Sequence, residues 1–263
     1  MQSKKLNTEI LFQFLVKYTQ PELICDVGTL DASNSISLRN INQKTDILAF
    51  EANPYNYKAI ISKNISESYN IDVIHKAVSN KSGQLVFNVQ KYTDKHDDQW
   101  MAGTSSILQR SEEVGDTEEV AVESIRLDEH LNNSQSTKNL NYIALWIDVE
   151  GAGYEVLEGI KNITDKITFL QVEVETVTVW KGQKLKSDVQ KLMESLGFIE
   201  VARGKLEDQH DLVYINQSFY ESNKIKCSSL IYLAQIFYYV RKWGGHILSN
   251  ILLFPILGIL RKN

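Results

Sequence analysis

The sequence predicts an α/β protein built on an open, doubly wound, mostly parallel sheet with an antiparallel closing strand, followed by a helical tail. Three observations carry this. Apolar runs of strand length alternate with stretches of helical spacing, the rhythm of a parallel sheet covered by helices. The first run, ELICDVG (22–28), ends at a glycine that lets the backbone turn tightly. Two closing strands, FIEVARG and HDLVYIN, end the series. Right-handed crossovers then wind the sheet on both faces and leave a ligand crevice beyond the carboxyl ends of its strands.

The elements follow in order. Residues 1–20 read as an amphipathic helix with Ile10, Leu11, Phe14 and Leu15 on one face. A glutamate interrupts its apolar stretch and no small-residue cleavage site follows, so a secretory signal is not expected. DILAFEAN (46–53) is a second strand, with Pro54 opening the helix YNYKAIISKNI. IDVIHKAVS (71–79) reads as one third strand, which makes His75 a buried core histidine. KSGQLVFNVQ and EEVAVESIRL are two strands outside the βαβ rhythm. The polar loop joining them holds the run GTSSIL, so an insertion at about 84–126 covers the substrate side. YIALWIDVEG (142–151), the helix YEVLEGIKNI, the strand ITFLQVEVET and the helix SDVQKLMESLGF complete a domain spanning 21–216, with a tail at 217–263.

Bulk properties narrow the function. With 263 residues, 43% hydrophobic and 23% charged, the chain closes one large core. Its net charge of −5 argues against coating nucleic acid, which needs a basic stripe. Cys25 and Cys227 are the only cysteines, so neither a disulfide framework nor a cysteine zinc site is expected, and a reducing cytosol fits.

The candidate chemistry sits just after strands. In DVGTLDASNS, Asp26 ends the first strand and Gly28 lets the turn approach a ligand, but Thr29 and Ala32 stand where a phosphate-cradling G-x-G-x-x-G would place glycine. That disfavours a nicotinamide dinucleotide. Glu51 ends the second strand about 20 residues on, where an acidic side chain accepts hydrogen bonds from ribose hydroxyls. A ribose-binding acid without phosphate glycines suits a nucleoside cofactor lacking pyrophosphate, of which S-adenosylmethionine is the commonest for this fold. Asp148 and Glu150 end the fourth strand beside Gly151 and Gly153. They can hold an ammonium group or act as general base toward a hydroxyl. Glu173 and Glu175 alternate onto one strand face, and His210 with Asp211 opens the last strand. No metal is called for, although paired carboxylates are the hard ligands a divalent ion takes.

These motifs in this order resemble the FkbM-type methyltransferases, a branch of the Rossmann-like class I methyltransferase fold. The resemblance runs over about 22–216 and rests on DVGTLDASNS, AFEANP, HKAVSNKSGQLVF, GTSSIL, SIRLDEHL, IALWIDVEGAGYEVLEGI, FLQVEVE and HDLVYIN. It implies methyl transfer from S-adenosylmethionine, usually to an oxygen of a sugar or natural-product acceptor. It also implies that Asp26, Gly28, Thr29 and Asp31 line the methionine part, Glu51 and Ala52 the ribose, and Ala77 the adenine edge. Asp148 and Glu150 then stand at the reacting centre, with Glu173 and His210 as further candidate catalytic groups. In the first motif the family commonly shows a small residue, then Asn and a second glycine; Thr29, Leu30 and Ala32 depart from this. The rival class is a nucleoside-binding module without catalysis, which would bind cofactor and make no product.

The tail is a different surface. From Glu221 onward six Lys or Arg stand against one acid, and apolar stretches of 11 and 14 residues flank RKWGGH (241–246). Each is too short for a span of about 20 residues. Cations and aromatics at the ends of apolar helices fit peripheral contact with a membrane through about 230–260. A hairpin packed on the core or a homodimer interface is the alternative.

Overall fold

A computed structural model of the chain describes residues 4–91, 103–112, 115–204 and 208–243. In order the elements are β1 (Lys4–Lys5), α1 (Thr8–Thr19), β2 (Leu23–Val27), α2 (Ser33–Ile41), β3 (Asp46–Phe50), α3 (Pro54–Ser62), α4 (Ile65–Tyr69), β4 (Asp72–Ile74) and β5 (Ala77–Val78). They continue with β6 (Gly83–Gln90), β7 (Thr117–Ile125), α5 (Leu127–Asn133), β8 (Ile143–Ile147), α6 (Gly153–Glu158), β9 (Ile167–Glu175), α7 (Lys186–Ser195), β10 (Phe198–Arg203), β11 (Gln209–Asn216), α8 (Gln217–Ser222) and α9 (Lys224–Trp243).

Eight strands form one sheet in the order β1-β10-β11-β9-β8-β2-β3-β4. All run parallel except β11, which is antiparallel to both β9 and β10. The expected doubly wound sheet with a reversed closing strand is therefore present, and its carboxyl-end crevice opens above β2, β3 and β8. The register explains the two cores. Ile24, Ala144 and Phe169 face α1 and α9, where Phe12 packs edge-on to Trp146 at 5.1 Å. Their neighbours Cys25, Leu145 and Leu170 face the other way, toward Val156, Val189 and Met193 of α6 and α7. The inner strands are buried on both faces and so read as continuous apolar runs.

Local signals set the boundaries. Asn7 caps α1, its side chain accepting from Ile10 N–H at 2.8 Å, and Asn53 caps α3 with Pro54 in the first turn. One expectation fails. Residues 71–79 are two strands, because Lys76 N–H folds back on Ile74 O and turns the chain out of the main sheet; Ala77 and Val78 then pair with β7. His75 lies at that kink, exposed and stacked on Tyr57 at 4.6 Å rather than buried. β5, β7 and β6 make a separate three-stranded sheet.

Both cysteines are free and buried. The first apolar stretch of the tail lies in α9, which packs Cys227, Leu230, Ile231, Ala234 and Phe237 into the core against α1. The second stretch lies outside the described residues. No helix among the described residues is long and apolar enough to cross a membrane.

Candidate functional site

The cleft of about 740 Å³, counted to its open mouth, lies at the carboxyl ends of β2, β3 and β8. The turn after β2 closes it on one side. Gly28 adopts φ +83°, and a Cβ there would stand 2.1 Å from Asp148 O, so only glycine lets β2 and β8 end this close together. Gly28 and Thr29 N–H both donate to Phe50 O at 3.0 Å, tying the turn to β3. Leu30 (φ 57°) and Ala32 (φ 64°) accept left-handed backbone, costing roughly 1–2 kcal/mol each for residues with a Cβ. Asp26 holds this turn from behind: buried, it accepts from Ser35 Oγ at 2.5 Å, Thr29 Oγ1 at 2.8 Å and Asn34 Nδ2 at 3.2 Å. Asp31 is exposed and accepts from Ser33 N–H at the start of α2.

Glu51 is the most constrained acid of the cleft wall. Its Oε2 accepts Leu30 N–H at 2.8 Å and its Oε1 accepts Asn53 N–H at 2.7 Å. Burial pushes its carboxyl up to about 7 against the opposing pull of these hydrogen bonds. Ala77, Val78, Phe87 and Ile107 add an apolar wall.

The insertion roofs the site. Ser106 Oγ donates to Glu150 O at 2.5 Å, while Asn88 Nδ2 donates to the carbonyls of Ser106 and Leu108, each at 3.2 Å. Ser105 Oγ accepts from Gln90 N–H and from Asn53 Nδ2. Ser105, Ser106 and Asn53 line the cleft without having been singled out from the sequence; AFEANP and GTSSIL were read as motifs, with no role given to these side chains.

A row of acids continues from the cleft across the sheet. Asp148 follows Ile147, whose β9 partner is Val172, so it falls beside Glu173, and Glu173 is the direct cross-strand partner of Asp211. Asp148 opens to the cleft and is pushed upward by the protein around it and by the charges of Asp211 and Asp26. Burial, then Glu175 and Asp148, raise Glu150 to about 7, with Arg110 opposing. Glu173 is driven up further, by burial and by four neighbouring carboxylates. Burial also raises Asp211, whose carboxylate accepts from the Thr8 side chain. Glu150, Glu173 and Glu175 bring carboxylate oxygens within 4.8 Å of one another, a spacing a divalent cation would bridge. The cation whose charge opposes the rise of Glu150 is Arg110, stacked on Trp180 at 4.6 Å.

Of the residues singled out from sequence, the fold therefore brings Gly28, Glu51, Ala52, Ala77, Asp148 and Glu150 to the cleft. Asp26 and Thr29 shape its turn, Asp31 sits outside it, and Glu173 lies one strand further along. His210 alternates with Asp211, so it projects to the opposite sheet face, where its Nδ1 lies 2.8 Å from Lys186 Nζ.

The methyltransferase FkbM domain matches residues 26–200, two thirds of the chain and all of the cleft. The chain belongs to the FkbM methyltransferase family. A search of curated proteins gives no match in sequence. Among solved structures, TehB from Haemophilus influenzae is 10% identical with a TM-score of 0.42, over 78% of this chain and 61% of TehB. This chain therefore spans less than two thirds of TehB's length. TrmK of M. capricolum with S-adenosylhomocysteine is 13% identical (TM-score 0.40, 81% of this chain and 70% of TrmK). The N-terminal domain of EvdMO1 with S-adenosylhomocysteine is 9% identical (0.41, 80% and 82%).

The residues of the cleft fit S-adenosylmethionine, the methyl donor that the sequence motifs imply. Glu51 would accept from ribose hydroxyls, the Ala77, Val78 and Phe87 wall suits a flat heterocycle, and the strand-end acids suit a ligand carrying sulfonium and ammonium charge.

Proposed function

We propose that the protein methylates a hydroxyl oxygen of a sugar-bearing acceptor, in a polysaccharide, a glycolipid or a natural product, working in the cytoplasm with peripheral contact to a membrane. The observation that carries the reading is the pair Asp148 and Glu150, which stand at the cleft wall with carboxyls raised toward neutrality. A group that titrates near the working pH is suited to take a hydroxyl proton.

When bound, S-adenosylmethionine supplies an electrophilic methyl on a sulfonium, open to in-line displacement. The chain's task is then alignment and proton removal. Glu51 fixes the donor's ribose and the Gly28 turn its methionine part. Asp148, at the end of β8 beside that turn, takes the proton as the acceptor oxygen forms its bond to carbon, and Glu150 offers a second acceptor. Burial, then the charges of Asp211 and Asp26, hold the Asp148 carboxyl above its ordinary range and so tune its basicity. The Ser105–Ile107 roof screens the site from water on the acceptor side.

The test is turnover. The purified chain is given S-adenosylmethionine with a panel of glycosides, glycolipids and matched amines. An acceptor gaining one methyl on oxygen, with stoichiometric S-adenosylhomocysteine, supports the reading. Methylation confined to the amines overturns it, and saturable cofactor binding without any product favours a non-catalytic module.

A further inference from the structure

The hairpin of β6 and β7 has two unlike faces. Phe87, Val89 and Val122 pack with Ala77 on the face that walls the cleft. Strand alternation sends Asn88 and Gln90 to the other face, opposite Glu119 and Thr117. Such an outer face is ordinarily wetted, yet Asn88 is 6% exposed and Gln90 3%. The chain at 109–112 and the loop at 179–181 cover them. Lys181 N–H donates to Gln109 O at 2.7 Å and Ser111 N–H to Val179 O at 2.9 Å, joining the two segments. Between them and the hairpin lies a second hollow of about 690 Å³, counted to its open mouth, a size that takes a small ligand.

The wall of this hollow is polar and mixed in kind. Arg110 and Lys181 stand against Glu112 and Glu119, so the charges balance and set up no field that would draw a phosphate or a carboxylate. Arg110 is held by its stack on buried Trp180, and its Nε finds no hydrogen-bond partner among the described residues. A peptide strand finds no edge to pair with. Ser106 already exchanges both backbone hydrogen bonds with Asn88 of β6, at 2.8 and 3.1 Å, and β5 occupies the outer edge of β7. Donors and acceptors side by side without net charge suit a ring of hydroxyls, each of which both donates and accepts.

The hollow also abuts the acid corner. Trp180 packs on Gly151 so closely that no Cβ would fit there, and the charge of Arg110 acts on Glu150. Ser106 Oγ ties the same strip of chain to Glu150 O.

We propose that this hollow is a subsite for a neutral sugar ring adjoining the one whose hydroxyl is methylated, so that the acceptor is an oligosaccharide or glycan chain rather than a single glycoside. Only the role as acceptor subsite rests on the methyl-transfer reading; sugar binding in the hollow does not.

The full chain with S-adenosylhomocysteine is applied to an array of neutral di- to hexasaccharides beside uronate-bearing ones, with calorimetric titration of S-adenosylhomocysteine on the same preparation. The expected result is capture of neutral oligosaccharides, weakened about tenfold by Arg110→Gln and by Lys181→Ala/Glu119→Gln, with S-adenosylhomocysteine affinity unchanged in both. Lys181 and Glu119 are exposed, so the second variant keeps its fold whatever the first does to the Trp180 stack. A chain that binds S-adenosylhomocysteine but captures no glycan overturns the proposal, as does capture confined to uronates or indifferent to both variants. Methyl transfer to single-ring glycosides as efficient as to longer chains also overturns it, and leaves the methyl-transfer reading in place. Capture with no methyl transfer to any acceptor leaves the sugar site intact and defeats the function reading instead.

Discussion

Replacing Glu51 by glutamine separates two jobs that one carboxyl does. In the folded chain burial raises Glu51 from 4.5 to about 7. A carboxyl raised on folding favours the native state while it stays protonated, and that advantage is lost as pH climbs from the unfolded value through the folded one. For these two values the cost of ionisation relative to a neutral isostere grows by about 2.5 kcal/mol between pH 5 and pH 8. Glutamine also loses an acceptor toward Leu30 or Asn53 N–H, but that penalty does not depend on pH. Urea unfolding of both proteins at pH 5 and 8 should therefore show the stability difference moving in the variant's favour by about 2.5 kcal/mol. A difference that stays constant across this range would refute a Glu51 buried as neutral acid. Cofactor binding should move the opposite way. Hydrogen bonds to a charged group are worth about 1.5–3 kcal/mol, so the variant should bind S-adenosylmethionine on the order of tenfold to a hundredfold more weakly at pH 8. Calorimetric titration giving equal affinities would remove Glu51 from the ribose site.

Gly28→Ala should destabilise by more than about 3 kcal/mol or prevent folding, since left-handed strain adds to a Cβ placed 2.1 Å from Asp148 O; thermal unfolding reads this, and a melting temperature near wild type would contradict the close approach. Asp148→Asn should lower turnover about a hundredfold with cofactor affinity held within about threefold, the signature of a lost proton acceptor. A loss seen only in Glu150→Gln would transfer the role to Glu150. His210→Ala should leave turnover within about twofold, because its ring bonds Lys186 on the far sheet face; a loss comparable to that of Asp148→Asn would show the face assignment to be wrong. Cofactor binding at pH 7 should release protons from Glu51 and Glu150, both titrating near 7, as positive charge arrives; calorimetric enthalpies that do not vary with buffer ionisation heat would deny it.

The fold was legible where burial is two-sided. β2, β3, β8 and β9 are apolar runs bounded by turn residues, and α1 shows its core face as a helical stripe, so pattern alone locates them. The split between β4 and β5 was not legible, because both halves alternate in the same way and the kink at His75–Lys76 is decided by which strand each half pairs with. β1 is two residues long and pairs β10 across the whole chain, too short to carry any pattern. The tail read as helical, but its division into a sealed inner face and an exposed outer stripe follows from the packing of α9 on α1.

The site was legible along strands and illegible across them. Gly28, Glu51, Asp148 and Glu150 are strand-end positions, and an open parallel sheet puts strand ends at the ligand. Which acid stands beside which is a matter of register. His210 and Asp211 are adjacent in sequence and His210 was the one named as a candidate catalytic group, yet β11 pairs Asp211 directly with Glu173, and one residue of alternation sends His210 to the helix on the other side. The same register places Glu173 next to Asp148, so five acids, Asp148, Glu150, Glu173, Glu175 and Asp211, meet at one corner with Thr8 at its edge. Burial of mutually repelling carboxyls works against folding, and it is relieved by a proton or by a cationic ligand. A cleft that gains when positive charge enters it, and that then frees a carboxylate beside the bound donor, links cofactor binding to the arming of the base through the same side chains.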